Sequence, residues 1–439
     1  MNSAFILGID GLPFTLTHRL IEMGIMPNMK HLLSGSGQLS QLHVTVPDFS
    51  CVSWTSFATG TNPGQHGIYG FNDLHPITGE FYFPDANQCK ATQLWHVIGE
   101  AGGRSIVVNL PGTYPATPLR GKMVSGFVSP DFDKACYPLP FAQLLKRLGY
   151  KMDLDGRIGL GSANRVKELI LSVFEARKRT IRHIIQNEQW DLLIAVITET
   201  DRLQHYYLAA IDDPSNPNHR WVMQFYRELD TFIGEVIEML PSDVQFYMVS
   251  DHGFATIKHT VVMYDLLIEL GLSPNDETRL RSEEEAQKQS KVFVLDPARF
   301  YINRKNSRFK NGVVEAHQED EIIEKLKTAL ESLTDPKTGE PIVNTVRTKK
   351  QGFWGRAEAY APDLVAATRP GYYFRAIQSK NKTHQPGVWE ANHVWNDAIV
   401  YTPYKLTEDH QPMIWDVLPT VLANMGVEVP DNVDGRVLK

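Results

Sequence analysis

Short apolar runs alternate along the chain with longer stretches whose apolar positions recur at helical spacing. Phe5 to Gly8 is one such run, ending at Asp10-Gly11, and a helical pattern follows through His18 to Leu33 until Ser34-Gly35-Ser36-Gly37 stops it. The same grammar recurs downstream. Trp95 to Ala101 reads as helix and Ser105 to Asn109 as strand, and Val166 to Gln186 is a long amphipathic helix leading into the strand Leu192 to Ile197. The helix Trp221 to Leu240 precedes the strand Gln245 to Val249, and Ile414 to Met425 reads as a closing helix. Strands alternating with helices predict an α/β fold built on a doubly wound, mostly parallel sheet. Two stretches break the rhythm: Ser273 to Lys291, rich in Glu, Gln, Arg and Ser, and the exposed turn Thr334 to Thr338 around Asp-Pro. We therefore expect residues 1–254 and 391–439 to form the main α/β core, and 255–390 to contain a cap-like insertion together with further core elements.

At 439 residues the chain exceeds the size at which one core stops growing, so one large domain with insertions, or two domains, is expected. Its 42% hydrophobic and 22% charged residues are ordinary for a folded globular protein. The net charge of -7 supplies no broad basic surface, so neither a nucleic-acid polymer nor a membrane is an expected partner. The N-terminus has no basic leader and its apolar run is too short for a signal or a span, which makes the cytoplasm the expected location. Cys51, Cys89 and Cys136 form no CxxC pair, so any metal would be held by carboxylates and imidazoles. There is no P-loop, GxGxxG, HExxH or internal repeat.

The candidate chemistry lies where Asp and His fall relative to the strands. Asp10 follows the first strand, Asp201 follows Leu192 to Ile197, and Asp251-His252 follow Gln245 to Val249. In an open parallel sheet, ligands bind beyond the carboxyl ends of the strands, so three strand ends deliver metal-type side chains to one edge. Asp201 and His205 are four apart and, on a helix, share a face; the plainer reading is a capping Asp beside an unrelated His. Ser-Asp-His-Gly and Asp-Gly are each also ordinary turn sequences. Ser50 starts a helix of about ten residues closed by Gly60, either as an N-cap or as a nucleophile activated by the helix's positive end and a neighbouring metal. Cys51 beside it reads as a packing residue.

Taken in chain order, these pieces resemble the alkaline phosphatase superfamily, and within it the type I phosphodiesterase and nucleotide pyrophosphatase branch. Ile9-Asp10-Gly11 looks like the first metal ligand, and Phe49-Ser50 through Thr59-Gly60-Thr61-Asn62-Pro63-Gly64-Gln65-His66-Gly67-Ile68 like the nucleophile block. Thr200-Asp201-Arg202-Leu203-Gln204-His205 and Ser250-Asp251-His252-Gly253-Phe254 look like the later metal blocks. Asp416 to Leu422, with Asp434-Gly435-Arg436, is similar to the closing helix. The likeness spans Ile9 to Leu438. It implies an alkaline-phosphatase-like fold and two divalent ions, zinc with manganese as the alternative. Asp10, Ser50, Asp251 and His252 would hold one ion, and Asp201, His205 and a later His the other.

That later His is assigned to His393, which precedes Ala398-Ile399-Val400-Tyr401 as the family's last ligand precedes its last strand. The rival His384, in Thr383-His384-Gln385-Pro386-Gly387, is nearer to the family's His-x-Pro letters, whereas His393 is followed by Val394-Trp395-Asn396. Two further departures stand out. The nucleophile is Ser50 where that branch usually has Thr, and the Asn that holds the phosphoryl oxygen would fall at about Phe71, leaving Asn72, one place later, as the substrate-binding candidate. His66 and Gly67 are assigned to shaping their loop.

The implied activity is a two-metal phosphoester hydrolase, a phosphodiesterase or nucleotide pyrophosphatase working through a phosphoseryl intermediate on Ser50. The alternatives are a phosphomonoesterase or phosphomutase on the same site, and, from another class, an idle metal-binding protein on this fold. The inserted domain of the mutases is not evident between residues 60 and 190, and Cys51 followed by Val52-Ser53-Trp54 does not match a sulfatase motif. The expected partner is a small phosphoester such as a nucleotide; Trp54, Tyr69, Phe71, Trp354 and Tyr372 are open to stacking a base or to filling core. Oligomeric state leaves no mark in the sequence.

Overall fold

The structure is a computed structural model describing residues 1–153, 163–274, 290–376, 389–407 and 410–439. Its main strands are β1 (Ala4–Ile9), β2 (Gln38–Leu42), β3 (Ser105–Leu110), β4 (Gly121–Ser125), β5 (Cys136–Tyr137), β6 (Leu192–Ile197), β7 (Gln245–Val249), β8 (Gly253–Thr256), β9 (Ala391–Val394) and β10 (Ala398–Thr402). All but β8 and β9 form one sheet in the order β2-β10-β7-β1-β6-β3-β4-β5. Neighbours from β7 to β4 are parallel, while β10 runs antiparallel to β7 and β2, and β5 antiparallel to β4. The sheet is the mostly parallel, doubly wound α/β sheet that the alternation of runs predicts.

β1 and β6 are continuous apolar runs, and β3 is buried along its whole length, because both faces of this sheet are covered. Alternate residues point to opposite sides. Phe5, Leu7, Ile9, Leu193 and Ile197 pack with Phe174, Phe225 and Phe232 from helices Ala163–Asn187 and His219–Met239. Ala4, Ile6, Ile194 and Val196 pack against Trp54 and Phe57 from helix Ser50–Thr59 and Leu418 and Val421 from helix Val417–Met425.

One element differs from its expectation. The apolar spacing of His18 to Leu33 predicts a single helix, but the chain forms two, Phe14–Glu22 and Pro27–Leu33. Gly24-Ile25-Met26 turns the chain, and Pro27, which lacks an N–H, suits only a first helical turn. The closing helix is preceded by a short 3-10 turn, Ile414–Asp416. Thr334 to Thr338 forms a largely exposed turn, closed where Gly339 N donates to Asp335 O at 2.8 Å. Of the polar stretch Ser273 to Lys291, residues 275–289 lie outside the described residues.

Between β8 and β9 lies a second, four-stranded sheet in the order Val292–Leu295, Arg299–Ile302, Leu364–Thr368, Val343–Thr348. Helices Met263–Glu269 and Glu319–Glu331 cover it around a separate apolar cluster that includes Leu267, Val294, Phe300, Leu326 and Leu364. Among the described residues no helix is long and apolar enough to cross a membrane.

Candidate active site

Three adjacent parallel strands, β7, β1 and β6, end at the same edge. Asp10 is the residue after β1, and Asp251 and His252 follow β7 by one residue. Asp201 and His205 lie on helix Glu199–Tyr207, which starts directly after the turn that ends β6. Thr200 Oγ1 donates to Asp10 O at 2.6 Å and Gln204 Nε2 to Gly11 O at 2.7 Å, which pins that helix to the Asp10 turn. His393 comes from β9, where it sits opposite Phe254 of β8. The structure brings Asp10, Asp251 and His252 into one group, and Asp201, His205 and His393 into another, the ligand atoms of each within 4.8 Å of one another. His384 lies outside the described residues.

Ser50 is the first residue of helix Ser50–Thr59. Phe49 takes the N-cap position with extended backbone and no side-chain cap is made, so the Ser50 hydroxyl is not spent on capping. It is buried, with Oγ 3.2 Å from His252 Nε2. The first-turn N–H groups of a helix have no intrahelical partner and carry its positive end, which is where an oxyanion or phosphate is stabilised.

The polar atoms follow one pattern. Each carboxylate has one oxygen held by the protein: Asp10 Oδ2 accepts from Trp54 Nε1 at 3.2 Å, Asp201 Oδ2 from Arg202 Nη1 at 3.1 Å, and Asp251 Oδ1 from Gly11 N at 3.0 Å. The other oxygens, Asp10 Oδ1, Asp201 Oδ1 and Asp251 Oδ2, are buried without a hydrogen-bond partner. Each imidazole has Nδ1 on a backbone carbonyl: His205 on Ala391 O at 3.0 Å, His252 on Gly253 O at 3.1 Å, His393 on Asp48 O at 3.0 Å. A carbonyl only accepts, so Nδ1 carries the proton and Nε2 presents a lone pair. The Nε2 atoms of His205 and His393 are 3.3 Å apart, and each is 3.4 Å from Asp201 Oδ1. His252 Nε2 is 3.3 Å from Asp251 Oδ2 and 3.5 Å from Asp10 Oδ1. Lone pairs converging at this distance in a buried space form an arrangement that a bound cation would satisfy. Mixed carboxylate and imidazole sets of three donors fit zinc or a similar divalent ion, with positions left open for other ligands.

The electrostatics describe the same tension. Burial, then the neighbouring Asp251 and Asp201, raises the Asp10 carboxyl well above the ordinary range, and burial pushes Asp251 up to about 7. Burial alone would raise Asp201 too, but His205, His393 and Arg202 outweigh it and hold it low. Burial lowers the His205 and His252 imidazoles, keeping them neutral as ligands must be. For His393, burial acts downward but the Asp201, Asp48 and Asp251 carboxylates raise it.

The remaining residues singled out in the sequence lie in several places. His66 is buried, its Nε2 2.9 Å from Ser56 Oγ and its Nδ1 accepting from Ile68 N, so it shapes the loop after helix Ser50–Thr59. Cys51 packs inside that helix, and burial pushes its thiol up. Trp54 and Tyr69 are core, and Trp354 is partly exposed but bonded to Asp434. Phe71 lies against Phe49 and Phe127, with ring centroids 5.6 and 5.8 Å apart. Asn72 is gripped by Arg299, whose Nη1 donates to its main-chain oxygen and Nη2 to its Oδ1. Sequence reasoning does not single out Arg202, Arg299 or Trp389, which stacks on His205 at 4.2 Å between ring centres. For Arg202 the signal available is its place next to Asp201; Arg299 offers none, being far from the site in the chain.

The sequence profile of the type I phosphodiesterase/nucleotide pyrophosphatase family matches residues 4–392. A search of curated proteins returns no match. Among solved structures, phosphonoacetate hydrolase from Sinorhizobium meliloti 1021, in complex with phosphonoformate, is similar with a TM-score of 0.64 at 16% identity, covering 97% of this chain and 95% of that one. Murine ectonucleotide pyrophosphatase/phosphodiesterase 5 is similar with a TM-score of 0.58 at 14% identity, covering 98% and 97%. Its human counterpart has a TM-score of 0.55 at 13% identity, covering 98% and 96%. At these identities the likeness is one of fold.

Proposed function

Since the chain belongs to the type I phosphodiesterase/nucleotide pyrophosphatase family, a family of phosphoester hydrolases, we propose that it cleaves a small phosphodiester with Ser50 as nucleophile and two divalent ions as cofactors. The observation that carries this reading is the shared pattern of the ligand atoms: three carboxylates and three imidazoles each have one polar atom held by the protein and one left unpartnered or as a lone pair, facing its group. Asp10, Asp251 and His252, with Ser50 beside them, would hold one ion, and Asp201, His205 and His393 the other. Zinc fits this donor set and manganese is the next choice. The ions, when bound, supply positive charge where a phosphoryl transfer builds negative charge on the attacking and leaving oxygens.

The chain's own residues do the rest. Ser50 Oγ gives up its proton and forms a bond to phosphorus, the ester oxygen opposite leaves with the bonding electron pair and takes up a proton, and water then gives its hydroxyl to phosphorus and a proton to Ser50 Oγ, restoring the serine. The helix start at Ser50 puts backbone N–H groups beside the developing negative charge. Asp48 O, Ala391 O and Gly253 O keep the three imidazoles in the ligand tautomer. Asn72 is the substrate-binding candidate on the nucleophile side. The segment 255–390 is assigned the role of a cap over this edge, on the support of its separate sheet and apolar cluster.

Family membership favours a diester, and so does the charge around the site. Among the described residues, Arg202 beside the second group is already bonded to Asp201 and Asp153, and Arg299 to Asn72 and Asp296. A dianionic monoester would want an additional cation. A nucleotide is the substrate class suggested by the family, and free cysteines at positions 51, 89 and 136 suit a reducing compartment such as the cytoplasm. The test is hydrolysis of bis-p-nitrophenyl phosphate beside p-nitrophenyl phosphate by metal-stripped protein with zinc or manganese restored. Faster metal-dependent diester cleavage is expected. Monoester preference would move the protein to the phosphatases or mutases, and silence on both would favour an idle binding protein.

A further inference from the structure

Arg299 reaches from the four-stranded sheet into the loop that follows the nucleophile helix, and it is fully buried. Its Nε donates to Asp296 O at 2.8 Å, its Nη1 to Asn72 O at 2.8 Å and its Nη2 to Asn72 Oδ1 at 2.7 Å. The guanidinium carbon lies 5.4 Å from the centre of the ring of Phe49, the residue before Ser50. Space for it exists because residue 70 is glycine: a Cβ there would stand 2.5 Å from Arg299 Nη1. The next loop residue is tied to the same strand, Tyr301 OH donating to buried Asp73 Oδ1 at 2.7 Å. Phe71 packs edge-on against Phe49, which keeps the loop on the Ser50 side of the cleft.

An arginine side chain has five donors and no acceptor. The amide atom of Asn72 that faces it must be the oxygen, so the NH2 group points away from Arg299. Asn72 is only half-buried, and among the described residues none accepts from its Nδ2. Two oriented N–H donors on a loop packed against Phe49, the residue before Ser50, suit a non-bridging phosphoryl oxygen, whose negative charge grows during the transfer. Resting on the reading of Ser50 as the nucleophile, we propose that Arg299 is a positioning residue. It holds Asn72 by both carbonyl oxygens so that the amide NH2 group faces the phosphoryl group, and the 255–390 segment thereby enters the catalytic geometry.

If Arg299 were only an anchor, Asn72 would matter only as an acceptor. Asn72→Asp separates the two roles, because a carboxylate keeps the acceptors for Arg299 and has no donors; Asn72→Ala controls for the added charge. With the full-length, metal-loaded enzyme and bis-p-nitrophenyl phosphate, both variants should lose about 100-fold in kcat/KM, the scale of one lost transition-state donor. Both should bind metal as the wild type does, and Asn72→Asp should melt no lower than wild type. Arg299→Met should show a loss of similar size, and adding Asn72→Ala to it should cost little more, because both changes remove the same donor. Wild-type kcat/KM in Asn72→Ala or Asn72→Asp, or losses that multiply in the double variant, would overturn the proposal. Should Arg299→Met fail to fold, Arg299→Lys takes its place: a single ammonium cannot hold both Asn72 oxygens as the guanidinium does, so a loss of kcat/KM that adding Asn72→Ala does not multiply is expected, and wild-type kcat/KM in Arg299→Lys would overturn the proposal. Activity in Ser50→Ala would instead defeat the nucleophile reading, so the two failures are distinguishable.

Discussion

The two groups of proposed ligands are built to different standards of rigidity. Asp10, Asp251 and His252 hang from the ends of β1 and β7, neighbours in a parallel ladder that runs from Ala4↔Gln245 to Gly8↔Val249, and all three side chains are fully buried. Asp201 and His205 share one helical turn, but His393 arrives on β9, which among the described residues pairs only with β8, and its side chain keeps 12% exposure. The first group is positioned by the core of the sheet. The second depends on a two-stranded pair and on the packing of Trp389 over His205. A strong core can thus preset one half of a composite site, while the other half rests on a small element that local changes can open.

The largest expected effect leaves both groups in place. Ser50→Ala should lower kcat by at least about 10⁴-fold, the order seen when a nucleophile is removed, while metal content stays at the wild-type value. Near-wild-type turnover would remove Ser50 from the chemistry. Next comes the fragile group alone: His393→Ala should weaken the binding of one ion by about 100-fold or more, exceeding the loss from an outer-shell partner, and leave the other ion unaffected. Equal weakening of both would mean that the groups are not independent.

The smallest effect concerns the rigid group and pH. Asp251 is raised to about 7 by burial, so in the metal-free fold it keeps its proton across a range in which the unfolded chain, with its ordinary carboxyl, has lost it. The folded state then binds more protons, and this group's contribution to stability falls as pH rises between its unfolded and folded values. Asp251 would have to give up that proton to hold a divalent ion. The gain in Tm on adding zinc should therefore grow as pH rises from about 5 to about 8; a gain that is flat or shrinks with pH would count against Asp251 as a ligand.

Much of this is legible in the sequence, and the limits are physical. β1, β6 and β7 are visible because strands covered on both faces are continuous apolar runs, and Asp10, Asp201, Asp251 and His252 are visible because they stand immediately beyond those runs. The break at Gly24 to Pro27 is hidden because the apolar spacing carries on through it. What periodicity does not reach are contacts made across the fold. Trp54 on Asp10 closes over 44 positions, Gly11 on Asp251 over 240, and Arg299 on Asn72 over 227. Asn72 is a candidate through a loop register alone, and the arginine hydrogen-bonded to it lies on a strand of the four-stranded sheet. His393 is intermediate: its strand is expected from the letters that follow it, while its place opposite Phe254 belongs to the pairing of β8 with β9.

That two groups of three donors each hold one divalent ion is tested most directly by calorimetric titration of metal-stripped protein with zinc, comparing the wild type with Asp201→Asn. Two ions bound per chain are expected in the wild type and one tight ion in the variant; a wild-type stoichiometry of one or none, or two tight ions retained without the Asp201 carboxylate, would contradict the assignment.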